Sequence, residues 1–111
     1  MFVSGQVEVD AQGRLVGPGD IQVQTRQALT NVQTIFRLAD LDIDDIIKTT
    51  VMLTDWRHYV AYNDIYREFF AAPYPARSTV CGGLARPEAL IEIEAVAVAG
   101  ARHTAVAVTS P

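Results

Sequence analysis

The chain has 111 residues, the length of one domain, and half of them are hydrophobic while 20% are charged. This composition excludes an intrinsically disordered or collagen-like chain. Nine basic residues against thirteen acidic ones give a net charge of −4, which argues against a protein that binds nucleic acid through its phosphates.

Targeting signals and cysteine content bear on the compartment. The N-terminus lacks the basic region and apolar stretch of a secretory signal, and no apolar run approaches the roughly 18 residues of a membrane span. The single cysteine, Cys81, excludes an intrachain disulfide. We therefore expect a cytoplasmic protein with no membrane partner.

The first half of the chain predicts a hairpin followed by a helix. Val-rich residues 2–9 and the short pair 15–16 read as strands around a turn at 10–13, where Asp and Gly favour a tight reversal. Asp20 is placed to cap a helix that ends near residues 39–40, because apolar residues recur there at spacings of three and four.

The second half predicts a strand over 46–53, with alternating β-branched residues, and a helix that begins at Asp55 and ends before Pro73 and Pro75. Its buried stripe is expected to consist of Trp56, Tyr59, Val60, Asn63, Tyr66 and Phe70. Two more strands follow over 78–81 and 90–99. The last strand places Ile91, Ile93, Ala95 and Ala97 on one face and Glu92, Glu94, Val96 and Val98 on the other.

The element order β-β-α-β-α-β-β predicts one α+β domain over residues 1–111, with a tail from residue 100 that no pattern assigns. Two helices are expected to cover one face of a four- to six-stranded sheet. Because the last strand has apolar residues on both faces, the second face needs another partner, and we expect a homo-oligomer.

Most residues of types that could act in catalysis or bind a metal are expected to have a structural or surface role. No Cys/His cluster has the spacing of a zinc site, and none of the common nucleotide, phosphate or hydrolase motifs occurs. His58 and His103 lie 45 residues apart and read as solvated surface residues. Cys81 reads as a half-buried structural thiol, because nothing in the sequence indicates activation.

Two features remain open on pattern alone. Arg77 follows Pro75 into a strand, where its guanidinium either forms a structural ion pair, lies on the surface or binds an anion. Glu92 and Glu94 share a strand face with Val96 and Val98, which is compatible with an exposed strand end or with general acid–base chemistry. Arg77 and the glutamates are also plausible partners for one another.

Several segments in order resemble the reactive-intermediate deaminase family, RidA or YjgF. They cover most of the chain from residue 2 to about 98, and they are Phe2-Val3-Ser4-Gly5-Gln6, Gly19-Asp20-Ile21 with Gln24-Thr25, Asn63-Asp64-Ile65-Tyr66 with Phe69-Phe70, Pro75-Ala76-Arg77-Ser78 and Ile91-Glu92-Ile93-Glu94-Ala95.

The resemblance implies a chorismate-mutase-like two-layer α+β fold and a homotrimer with ligand clefts between subunits. It also implies hydrolysis of small enamine and imine acids, such as 2-aminoacrylate and 2-iminopropionate, to a keto acid and ammonia without metal or cofactor. Arg77 matches the arginine that binds the substrate carboxylate and Glu92 the glutamate that positions water. Ser4, Gly5, Asn63 and Thr79 match substrate-binding positions, while Glu94 reads as structural.

Departures from the family keep other functions open. The chain begins almost at the Ser-Gly-Gln strand, so a cleft tyrosine that the family usually has before it is expected to be absent, and Thr79 replaces a frequent cysteine. The segment between Phe70 and Arg77 is short. The alternatives are a deaminase of another substrate class, a non-catalytic small-molecule-binding regulatory trimer, and an RNA-directed or chaperone-like role, which the charge of −4 opposes.

Overall fold

A computed structural model describes residues 1–6 and 9–100. The strands are β1 (Phe2–Gln6), β2 (Ile46–Leu53), β3 (Ala76–Cys81) and β4 (Ile91–Ala97), and the helices are α1 (Ile21–Arg37) and α2 (Tyr59–Phe69). Short 3₁₀ turns precede β2 at Ile43–Asp45 and α2 at Trp56–His58. The tail beyond residue 100, with His103, lies outside the described residues.

The four strands form one mixed sheet in the order β1-β4-β2-β3. The β1–β4 and β4–β2 pairs are antiparallel, whereas β2 and β3 are parallel and are joined through α2. Both helices pack on the same face, where alternate residues of β4 from Ile91 to Ala97 are buried. The predicted α+β class and two-layer arrangement are confirmed.

Helix α1 begins where its cap predicts. The Asp20 carboxylate accepts hydrogen bonds from the backbone nitrogens of Gln22 and Val23, both at 3.1 Å. Such a cap contributes about 1 kcal/mol. The apolar stripe then faces the sheet, and its fully buried residues are Ala28, Leu29, Val32 and Phe36. They form one core with the helix-facing residues of β2 and β4.

The predicted second strand at residues 15–16 is wrong. In the described part of the chain, this region contributes only an isolated bridge between Val9 and Leu15. The Asp10 carboxylate stabilises the turn instead, because it accepts from the backbone nitrogens of Gln12 at 2.9 Å and Arg14 at 3.0 Å. Gly17, with φ of +59°, then turns the chain, so the Val9–Leu15 bridge does not extend into a pair of strands.

The predicted face of the second helix is wrong at its start, although Tyr66 and Phe70 are buried as expected. Asp55 caps the 3₁₀ turn, and α2 itself begins only at Tyr59. The extra turn rotates the helix, so that Trp56 and Val60 are 54% and 71% exposed whereas Tyr62 is fully buried. Tyr62 therefore joins Tyr66 among the buried residues of α2.

Strand β2 contains one irregularity that the alternating pattern misses. Its register with β4 shifts between Ile46 and Lys48, and a bulge of this kind reverses the faces of the residues before it. Ile46 is consequently buried and Ile47 is 41% exposed. Among the described residues, no helix is long and apolar enough to cross a membrane.

Candidate functional site

Arg77 lies on edge strand β3 and faces helix α2. It is aligned with Thr49 of β2, which is fully buried under the same helix. Its Nη1 donates to the Asn63 amide oxygen at 2.6 Å and to the Tyr62 hydroxyl at 3.0 Å, and its Nη2 donates to the Tyr59 hydroxyl at 3.3 Å. Three side chains of one helix thus fix the guanidinium.

The Arg77 guanidinium has no carboxylate partner within the described part of the chain. It stacks on the Tyr66 ring, with its Cζ 4.5 Å from the ring centroid. Neutral oxygens accept three of its five N–H donors, so Nε–H and one Nη2–H remain. These two donors lie on neighbouring nitrogens of the guanidinium, a pair that can bind a carboxylate by two parallel hydrogen bonds.

Thr79 belongs to the same cluster through Tyr62. The Thr79 hydroxyl lies 3.0 Å from the Tyr62 hydroxyl, and either group can donate. Tyr66 is held in the same way by Thr49 at 2.7 Å. Burial raises the pKa of both Tyr62 and Tyr66, although their hydroxyl partners and the Arg77 charge oppose the change. Both phenols therefore stay neutral at physiological pH.

A cavity of about 460 Å³ opens beside this cluster. Its volume is in the range of pockets that bind small organic molecules. Its walls come from α2, from the segment that precedes β3 and from β3 itself, and the lining residues are Asn63, Tyr66, Arg67, Tyr74, Pro75 and Arg77. Two guanidinium groups and no carboxylate line it, so the cavity is suited to an anion.

Glu92 lies on the opposite face of the sheet. It alternates along β4 with the buried residues Ile91 and Ile93, and it is half-buried on the face away from the helices. Its side chain packs on Gly5 of β1, where an added Cβ would collide with the Glu92 carboxylate. No hydrogen bond or ion pair engages the Glu92 carboxylate among the described residues.

Ser4 and Gly5 belong to this second group. The register between β1 and β4 shifts between Val3 and Gln6, so two residues of β1 oppose the single residue Glu94. Such a bulge brings the backbone of β1 close to its neighbour, and glycine at position 5 leaves room for the Glu92 side chain. Ser4 is exposed beside it.

The predicted site residues therefore form two half-sites on opposite faces of the sheet. Arg77 is aligned with Thr49 of β2, and Glu92 with Met52. Strand spacing of about 4.8 Å and a rise of about 3.3 Å per residue place the two backbones about 14 Å apart. One small ligand on a single chain cannot contact both side chains. The helix-side half-site consists of Arg77, Asn63 and Thr79, and the open-face half-site of Ser4, Gly5 and Glu92.

Other candidate residues stay outside both half-sites. His58 lies in the 3₁₀ turn before α2, and Cys81 is an exposed free thiol at the end of β3, not the half-buried one expected. Within residues 1–6 and 9–100, no group of three His, Cys, Asp or Glu side chains is arranged to hold a metal ion.

The sequence interpretation placed Tyr59 and Tyr66 in the buried stripe but missed Tyr62 and the contact of all three tyrosines with Arg77. Tyr59, Tyr62 and Tyr66 recur at spacings of three and four, which places them on one helix face. Their rings pack edge to face, with centroids 5.6 Å and 5.9 Å apart along the row. The spacing was available in the sequence, but the predicted helix phase placed Tyr62 outside the buried stripe.

Comparisons with known proteins agree with this fold. The family model described as endoribonuclease L-PSP matches residues 1–99. The Escherichia coli protein TdcF, whose structure contains bound serine, is 40% identical with a TM-score of 0.80, over 87% of this chain and 78% of TdcF. The E. coli YjgF gene product is 39% identical with a TM-score of 0.81, over 88% and 79% of the two chains.

RidA from an Antarctic Psychrobacter species gives the same TM-score of 0.81 at 26% identity, over 87% of this chain and 79% of RidA. Fold similarity at this level therefore persists while sequence identity falls. With the family model extending over nearly the whole chain, the match is not confined to one motif. The chain belongs to the endoribonuclease L-PSP family, which includes YjgF and RidA.

Proposed function

We propose that this protein hydrolyses small 2-imino and 2-enamino carboxylic acids to a 2-keto acid and ammonia. The observation that carries the proposal is Arg77, a half-buried guanidinium with no acidic partner in the described chain and one donor edge directed to no protein acceptor. A planar carboxylate satisfies that edge, and charge-assisted hydrogen bonds of this kind contribute about 1.5–3 kcal/mol each.

The reaction needs one water molecule and one acid–base group. Water attacks the imine carbon while Glu92 accepts its proton, and Glu92 then returns that proton to the imine nitrogen, which becomes an amine. The hydroxyl group of the tetrahedral intermediate then gives its proton through Glu92 to the amine nitrogen, so the carbonyl forms, the carbon–nitrogen bond breaks and ammonia leaves. Because the imine is already electrophilic, positioning of water with one carboxylate is sufficient chemistry.

The two half-sites require a second copy of the chain. Arg77 and Glu92 lie on opposite faces, so a cleft between subunits is the simplest way to bring them to one ligand. The open sheet face supports such assembly, because Phe2 is 59% exposed and Val80 is 41% exposed on it. We propose a homotrimer in which Arg77 of one subunit faces Glu92 of its neighbour.

A non-catalytic small-molecule-binding trimer is the alternative. TdcF is described with bound serine, a small molecule that has a carboxylate, and the Arg77 edge alone is sufficient to hold one. In that case Glu92 has no chemical role. A serine-like ligand would bind, but no imine would be consumed.

Ammonia release from freshly generated 2-iminopropionate separates these functions. The wild type is expected to accelerate release over the spontaneous rate, and Arg77→Lys and Glu92→Gln are each expected to lose that acceleration. Glu94→Gln is the matched control, because Glu94 lies on the same strand face and is equally half-buried. A wild type that binds serine or pyruvate without accelerating release would favour the alternative.

A further inference from the structure

The cavity beside Arg77 contains a second guanidinium, that of Arg67, which the proposed reaction does not use. Arg67 lies one helical turn after Asn63, the residue that accepts from Arg77. Helix geometry puts a rise of about 6 Å between those two positions. The cavity is therefore lined by two positive groups, one on α2 and one on β3.

No acidic residue neutralises Arg67 within the described part of the chain. Four other arginines have carboxylate partners there, namely Arg14, Arg26, Arg37 and Arg57. The nearest acid in sequence, Glu68, pairs with Arg26 of α1 at 2.8 Å. Arg67 and Arg77 thus share one cavity without a counter-charge, an arrangement that an anionic ligand stabilises.

We infer that the cavity selects dicarboxylic substrates, the 2-imino derivatives of four- and five-carbon acidic amino acids. Arg77 binds the carboxylate next to the imine carbon, and Arg67 binds the distal carboxylate. Tyr74 also lines the cavity, and its hydroxyl is a further donor for that group. A cavity of about 460 Å³ has room for the longer chain. This inference rests on the proposed function, whose substrate class it narrows.

Binding of stable keto acids tests the selectivity without any turnover. We would titrate 2-oxoglutarate and 2-oxobutyrate calorimetrically into the wild type at low salt. The wild type is expected to bind 2-oxoglutarate about fivefold more tightly than 2-oxobutyrate. A difference of this size corresponds to one solvent-accessible ion pair. Arg67→Gln is expected to lower 2-oxoglutarate affinity more than 2-oxobutyrate affinity and so to remove most of that preference.

Arg57→Gln is the matched control, because it removes the same charge from an exposed site outside the cavity. The inference is overturned if the wild type shows no preference, if neither acid binds, or if Arg57→Gln lowers the preference as much as Arg67→Gln. Selective binding by a protein that consumes no imine would instead overturn the proposed hydrolysis and support the dicarboxylate site.

Discussion

Arg77 donates a 2.6 Å hydrogen bond to the Asn63 side-chain oxygen, and this contact fixes the orientation of both groups. With its oxygen engaged, the Asn63 amide keeps its two N–H donors for other partners. Both residues line the cavity. The Arg77 guanidinium and the Asn63 amide therefore both offer hydrogen-bond donors to a ligand. No carboxylate lines the cavity to compete with it.

A carboxylate at position 63 should inactivate this arrangement. Asn63→Asp gives Arg77 an internal counter-ion at hydrogen-bond distance, which competes with the ligand. We expect carboxylate affinity to fall about tenfold or more, in line with the strength of charge-assisted hydrogen bonds. Calorimetry with pyruvate measures it, with Gln12→Glu as a control for added charge. Equal affinity in Asn63→Asp and the wild type would contradict the role of Arg77.

Gly5 should matter for the reaction rate and not for carboxylate binding. A Cβ at this position collides with the Glu92 side chain, so Gly5→Ala must displace the carboxylate. A displacement of about 1 Å in a catalytic group can lower the rate about 100-fold. We expect that loss in imine hydrolysis with unchanged pyruvate affinity.

Gly83→Ala is the matched control for that variant, because nothing lies within 4 Å of its added Cβ. It should retain wild-type activity and stability. If Gly5→Ala hydrolysed imine at the wild-type rate, the Glu92 position would not be important for the chemistry.

The Tyr62 hydroxyl should contribute to stability through its two partners. Tyr62→Phe removes an acceptor for Arg77 and the partner of Thr79. Leaving those groups unpaired should lower the free energy of unfolding by about 1–3 kcal/mol, measured by urea denaturation. Combining it with Thr79→Val should cost less than the sum of the single changes, because both remove the same contact. Strict additivity would mean that the hydroxyls do not interact.

Stability should fall at alkaline pH. Burial raises the folded-state pKa of Tyr62 and Tyr66 above the unfolded value of about 10. Between those two pKa values the unfolded chain releases protons that the folded chain retains, so unfolding becomes more favourable as pH rises. The stability that the two neutral phenols contribute is fully present below about pH 10 and is lost as pH rises above it.

Urea denaturation of the wild type and of Tyr62→Phe measures this effect. The series should run from about pH 8 to about pH 11.5, which brackets the unfolded tyrosine pKa of about 10. The wild type should lose more stability over that interval than the variant, which lacks one of the titrating phenols. If the unfolding free energies of the two proteins fell in parallel with pH, Tyr62 would have the same pKa in the folded and unfolded states.

The sequence predicts the fold well where local chemistry decides it. Strand β2 has its predicted bounds because its β-branched residues alternate up to Leu53, and Asp20 caps α1 through its own side chain. The predictions are wrong where a contact between residues far apart in the sequence decides the local structure. The phase of α2 depends on Tyr62 reaching Arg77 and Thr79, which lie on another element.

The site shows the same division. Arg77, Asn63 and Thr79 were predicted separately, and the structure connects them through Tyr62. Arg77 and Glu92 lie on opposite faces because of strand register, since Arg77 is aligned with Thr49 of β2 and Glu92 with Met52, three residues further along. Sequence periodicity assigns Glu92 to a face but does not reveal which face Arg77 occupies. The separation of the half-sites therefore emerges only from the assembled sheet.

Subunit complementation tests most directly whether Arg77 and Glu92 act together from different copies of the chain. Arg77→Lys and Glu92→Gln proteins, each inactive, would be unfolded together, refolded as a 1:1 mixture and assayed for imine hydrolysis. Random assembly gives both wild-type residues at about a quarter of the intersubunit sites, so about a quarter of wild-type activity should return. A mixture that assembles but stays inactive would contradict the intersubunit site.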